Sequence, residues 1–207
     1  MKDQQQNERP PSERQRSGFN RRDFLRGSGA AAAATALAAG PGLVEAQDKT
    51  GATIVRGTTN IKLNVNGQEQ TVAVEPRTTL LEALRYKLNL TGAKPVSDAP
   101  GTGASTVMLD GKPISASTTL AVECVGKKIA TAESLAADAV PAAFVHNDAM
   151  QCGFCTPGFV VAVRAFLTKN PKATEAEIRQ GLNGNLCRCG TYANVLQAAL
   201  EVVKGGK

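Results

Sequence analysis

The sequence predicts an α+β protein in which a strand-rich half precedes a helical half. Three observations carry this. Apolar residues alternate with polar ones around Asn66-Gly67 and around Asp110-Gly111, the pattern of two tight hairpins. From Ser134 onward the apolar spacing becomes helical. Two capping boxes, Thr79 with Glu82 and Thr174 with Glu177, mark helix starts in each half.

Each element follows in order. Ile61, Leu63 and Val65 alternate before the first turn, and Val72 and Val74 after it. Leu80, Leu81, Leu84 and Leu88 then fall at helical spacing, and Gly92 is expected to end that helix. Residues 95–105 are a Pro/Gly/Ser loop. Thr106 to Ile114 reads as the second hairpin, and Thr118 to Val125 as a further strand. Helices are expected over 136–148 and 158–169, from Thr174 through Ile178 and Leu182, and over 192–203. Four short helices would pack as a bundle. The expected boundaries are a leader over 1–46, a linker over 47–58, a mixed domain over 59–133 and a helical domain over 134–207.

The composition narrows the function. Hydrophobic residues make up 42% of the chain, aromatics only 4%, and Trp is absent, so the core must be aliphatic. The net charge of +6 is scattered. No basic run carries interleaved aromatics, which excludes a nucleic-acid surface. No phosphate-binding or dinucleotide glycine motif appears. No Ser-His-Asp or Cys-His set appears either. Substrate chemistry on this chain alone is therefore not expected.

The leader has its own signature. Residues 1–20 are rich in Gln, Arg, Pro and Ser and read as disordered. Arg21-Arg22-Asp23-Phe24-Leu25 precedes a mild Ala/Gly-rich stretch from Gly27 to Leu43, then Val44-Glu45-Ala46. A charged start, an Arg pair, a short apolar region and a small-residue cut at Ala46 form a twin-arginine export signal. The stretch is too short and too rich in Ala and Gly to span a bilayer stably. A periplasmic destination follows. Without the leader's seven basic and five acidic residues, the mature chain nets +4.

The cysteines carry the chemistry. Cys152-x-x-Cys155 and Cys187-x-Cys189 each lie in a Gly-flanked loop between helices, while Cys124 stands alone on the strand expected over Thr118 to Val125, as a small core residue. By spacing, an iron–sulfur cluster, two structural disulfides and a Cys₄ zinc site all remain open. A bundle of this size has core enough without disulfides, and Cys-x-Cys is awkward for tetrahedral zinc. His146, the only histidine, reads as a surface or helix-end residue.

The residues around those pairs are more specific. Gln151-Cys-Gly-Phe-Cys-Thr-Pro-Gly158, then Gly184-Asn-Leu-Cys-Arg-Cys-Gly190 and Tyr192, resemble the iron–sulfur small subunit of the xanthine dehydrogenase/aldehyde oxidoreductase family of molybdenum hydroxylases. The resemblance extends over residues 59–205. It implies an N-terminal β-grasp domain like plant ferredoxin, then a four-helix bundle holding a [2Fe–2S] cluster. By position, Cys152, Cys155, Cys187 and Cys189 would be the cluster's ligands. Gln151 and Cys189 would face the pyranopterin of a large molybdopterin-binding subunit. Docking is expected through the loops around Gln151, Gly158 and Arg188. Arg188 would compensate thiolate charge or pair with a carboxylate of that subunit.

The sequence also departs from the family. The first domain should hold a second cluster on a Cys-x₄-Cys-x₂-Cys…Cys frame. Leu90-Thr-Gly-Ala-Lys94, Gly103-Ala104 and Leu109-Asp-Gly-Lys-Pro113 keep that frame, but the cysteine positions read Ser97, Thr102, Ser105 and Ser117. These clusters select soft thiolates, and an alcohol hardly ionises near neutrality. The first domain is therefore expected to be empty. Electrons would pass from the large subunit to a single bundle cluster, and then to a cytochrome or another acceptor. The rival reading is a structural subunit that escorts its partner through the export channel.

Overall fold

The computed structural model describes residues 56–96 and 101–205. The leader, its cut site at Ala46, most of the linker and Ser97 lie outside the described residues. The described residues form one compact unit.

Strands β1 (Thr59–Val65) and β2 (Gln68–Val74) pair antiparallel across Asn66-Gly67. Both turn residues have positive φ, 54° and 81°, as a type I′ turn requires. Alternation turns Leu63, Val65, Val72 and Val74 to the buried face. Strands β3 (Thr106–Leu109) and β4 (Lys112–Ser115) pair across Asp110-Gly111. Strand β5 (Lys128–Ala130) joins the hairpins, parallel to β1 and antiparallel to β3, giving the order β2-β1-β5-β3-β4.

Helix α1 (Leu80–Glu82) begins at the Thr79 capping box and continues as a π-helical turn over Ala83–Lys87. It buries Leu80, Leu81 and Leu84 against the sheet core. It ends earlier than the glycine signal implies. Asn89 takes the left-handed conformation at φ 56°, a helix stop open to Asn. Gly92 instead donates its N–H to Glu133 Oε1 at 2.8 Å.

The expected strand over Thr118 to Val125 is not formed. Ala121–Cys124 is a 3₁₀ turn. Leu80 N–H donates to the Thr119 carbonyl and Ala121 N–H to the Thr78 carbonyl, so this segment's backbone closes on the start of α1. Its buried residues, Ala121 and Cys124, stand three apart, a helical spacing. Cys124 is fully buried, as a core residue should be, but on that turn and not on a strand.

The second half holds α2 (Ala139–His146), α3 (Thr156–Lys169), α4 (Glu175–Gly181) and α5 (Tyr192–Gly205). Asp138 caps α2, and the Thr174 capping box starts α4. Phe144, Phe159, Val163, Ile178, Val195 and Ala199 form the centre of their core. Truncating either buried Phe to Ala would cost about 3–5 kcal/mol. Helix α3 also lies against β3 and β4, which brings the first half's 101–105 loop onto the second half's cysteine loops.

Candidate metal centre

The four paired cysteines sit on two loops at one end of the helices. Cys155 occupies the N-cap of α3. Gly153, at φ 79°, turns the chain between Cys152 and Cys155, and Gly190, at φ 80°, turns it after Cys189. A side chain at either position would strain the loop. Cys152 and Cys189 are exposed, Cys155 is half-buried and Cys187 is buried. None of the five cysteines is in a disulfide.

Cys152, Cys155 and Cys187 line a cavity of about 400 Å³ together with Phe154, Leu186 and Arg188. Val96, Thr102 and Ala104 of the first half complete its wall. The loops hold together by one backbone bond and one from a side chain: Leu186 N–H donates to the Thr102 carbonyl at 2.9 Å, and the Asn185 side-chain Nδ2 donates to the Gly103 carbonyl at 3.1 Å. Gly158 is buried against Gly103. It faces the first half, so it cannot belong to a docking surface, contrary to the expectation from sequence. Gln151 and Arg188 are exposed.

The thiols differ electrostatically. Burial pushes Cys155 up to about 12, and its hydrogen bond with Cys187 adds to the shift. Burial would raise Cys187 too. The Thr191 hydroxyl, the Thr191 and Cys189 backbone N–H groups and the Cys155 thiol outweigh it and bring Cys187 down to about 7. Donors clustered on one sulfur favour its thiolate, the form that binds metal.

Among the described residues, no three His, Cys, Asp or Glu side chains converge on one point that could hold a metal ion. A two-iron cluster shares four thiolates between two irons, so its sulfurs come from opposite sides of a cavity. The donor set here, two thiol pairs on neighbouring loops, supplies the four soft ligands that a binuclear iron group takes.

The first-half positions behave differently. Ser105 Oγ lies 3.1 Å from Ser117 Oγ, and Ser115 Oγ completes a triangle at 3.0 Å and 2.9 Å. Thr102 is not part of that triangle; it lines the cysteine cavity. Ser97 lies outside the described residues. The sequence singles out neither Ser115 nor Thr191, and Tyr192 enters it only as part of the motif. Ser115 holds no family position. The Thr191 hydroxyl lies 3.1 Å from Cys187 Sγ, although a Thr just before a periodic apolar run is a visible cap signal. The Tyr192 hydroxyl accepts from Cys187 N–H at 2.8 Å. His146 ends α2 and pairs with Glu201 at 2.8 Å in an exposed position.

Comparison with known proteins agrees with this geometry. Residues 130–200 match the [2Fe–2S] binding domain family, and residues 18–38 match the twin-arginine translocation pathway signal sequence. The chain is therefore exported to the periplasm. No helix among the described residues is long and apolar enough to cross a membrane. The aldehyde oxidoreductase iron–sulfur-binding subunit PaoA of Escherichia coli O157:H7 is 37% identical over 206 residues, covering 90% of this chain and 89% of that one. The nicotine 6-hydroxylase small subunit of Paenarthrobacter nicotinovorans is 40% identical over 144 residues, covering 68% of this chain and 87% of that one. The crystal structure of quinoline 2-oxidoreductase from Pseudomonas putida 86 superposes with a TM-score of 0.69 at 35% identity, covering 72% of this chain and 95% of that one. With a [2Fe–2S] domain over its helices and relatives matched along nearly their whole length, the chain belongs to the iron–sulfur small subunits of the xanthine dehydrogenase/aldehyde oxidoreductase family.

Proposed function

We propose that this subunit performs electron transfer in its exported oxidoreductase complex through one [2Fe–2S] cluster, held by Cys152, Cys155, Cys187 and Cys189. The observation that carries the reading is the contrast between the two halves. Three of the four thiols line one cavity and Cys189 stands two residues after Cys187, whereas the described cluster positions of the first half offer only hydroxyls, two of which hydrogen-bond each other.

When bound, the cluster accepts and releases single electrons. The chain's own residues set its surroundings. Phe154 and Leu186, about half exposed at the cavity mouth, would seat against a large molybdopterin-binding subunit and keep water out. We assign Gln151 and Cys189, both exposed, to the pterin side. Arg188 places a cation between the two ligand thiols. The residue order supports a β-grasp domain over 59–133 and a four-helix domain over 134–207. With the first half lacking a cluster, the acceptor, a cytochrome or another redox partner, must approach the bundle. The names of the relatives favour electron transfer over the export-escort role.

The test is iron and acid-labile sulfide per chain, with the electron paramagnetic resonance spectrum of the reduced complex. About two irons and one signal are expected. Four irons and two signals would overturn the empty first half. No iron would leave the escort role standing.

A further inference from the structure

Cys187 is gripped by two consecutive residues at the start of α5. Tyr192 accepts its backbone N–H at 2.8 Å, and Thr191 places its hydroxyl 3.1 Å from its sulfur. Both Thr191 and Cys187 are buried, at 5% and 7% exposure. A Thr at the entry to a helix ordinarily spends its side-chain oxygen as an acceptor for the first free N–H groups. Here the hydroxyl's hydrogen bond among the described residues is to sulfur.

We infer that Thr191 is a positioning residue that tunes the cluster: its hydroxyl donates to the Cys187 sulfur and raises the reduction potential. The inference rests on Cys187 being a cluster ligand. Between a thiol and a hydroxyl either atom can donate. A thiolate bound to iron has no proton, so the hydroxyl must be the donor. Reduction places one further electron on the cluster and its ligands, with no bond broken. A donor aimed at a ligand sulfur stabilises that added negative charge more than it stabilises the oxidised state. The bond is buried, so water does little to screen it.

Thr191→Val keeps the branched shape and removes the donor; Thr191→Ser keeps the donor. Both are compared with the wild-type complex, purified with its large subunit, by iron content and by a redox titration followed by electron paramagnetic resonance. The T191V complex should retain its iron. Its equilibrium constant for reduction by a fixed mediator should fall about tenfold, a potential about 59 mV lower for a one-electron couple. T191S should stay within about twofold of wild type. An unchanged potential in fully loaded T191V overturns the inference. So does loss of iron from T191V, which would make the residue a structural cap, and so does a T191S shift as large as that of T191V. A wild-type complex without iron fails at the ligand assignment itself and takes this inference with it.

Discussion

Replacing Gly158 with Ala tests whether the first half buttresses the cysteine loops. An added Cβ would stand 2.3 Å from the Gly103 carbonyl oxygen and 3.3 Å from Ala104 Cα. Ordinary contact starts near 3.4 Å, so the two segments must separate by about 1 Å. Both obstacles are backbone, and no side chain can swing aside. Overpacking of this kind costs about 1–3 kcal/mol. The separation also stretches the bonds to the Thr102 and Gly103 carbonyls, each worth about 0.5–1.5 kcal/mol. A total near 3 kcal/mol lowers Tm by about 6–12 °C in a chain of this size. The assay is thermal unfolding of the mature chain by circular dichroism. Gly184→Ala is the control, because nothing lies within 4 Å of its added Cβ. A G158A midpoint within about 2 °C of wild type would refute the buttress, as would an equal shift in G184A.

Other outcomes follow from the same structure. Cys155→Ser and Cys187→Ser should each abolish the iron–sulfur signal, while Cys124→Ser, in the other hydrophobic cluster on its buried turn, should leave iron content unchanged; an equal loss in all three would count against the ligand set. Burial alone would raise the Glu133 carboxyl, but the Thr131 hydroxyl and the Gly92 N–H outweigh it and hold it below its ordinary 4.5. A depressed folded value stabilises above the unfolded value and is lost as pH falls through the folded one, so the urea-midpoint gap between wild type and Glu133→Gln should be full at pH 6 and shrink toward pH 3; a constant gap would refute this. Removing iron with a chelator should speed amide exchange around Cys155 and Cys187 but not around Ser105 and Ser117, read by mass spectrometry, because the serines are closed by their own hydrogen bonds.

The sequence made both hairpins legible because Asn-Gly and Asp-Gly permit the positive φ that a tight turn demands. Both capping boxes formed for a similarly local reason: each is a reciprocal pair of bonds within four residues. The signals failed where the deciding contact is distant. Strand β5 is three residues with one buried side chain, Ile129, and only pairing with β1 and β3 makes it a strand. Ala121 to Cys124 alternates well enough for a strand, but the free backbone groups at the start of α1 claim that segment. The cysteine loops were legible as a motif. Their dependence on Thr102, Gly103 and Ala104 was not, because that contact joins residues about eighty positions apart.

The hydroxyl triangle would let a loop shaped for a cluster keep its place if, as proposed, none is bound there. A bound cluster ties its loop together through iron–sulfur bonds. In this chain Ser105 bonds to Ser115 and Ser117, and Ser117 bonds back to Ser115. Ala116 N–H also donates to the Ser105 carbonyl at 3.0 Å. The 101–105 segment is thereby fastened to the end of β4 by hydrogen bonds alone. Each neutral bond contributes only about 1 kcal/mol net, but a buried hydroxyl left unpaired would cost more. Mutual pairing among the serines removes that cost. Fastened in this way, Thr102 and Gly103 reach the cysteine loops whether or not iron is present in the first half. The segment thereby forms one wall of the cavity lined by Cys152, Cys155 and Cys187.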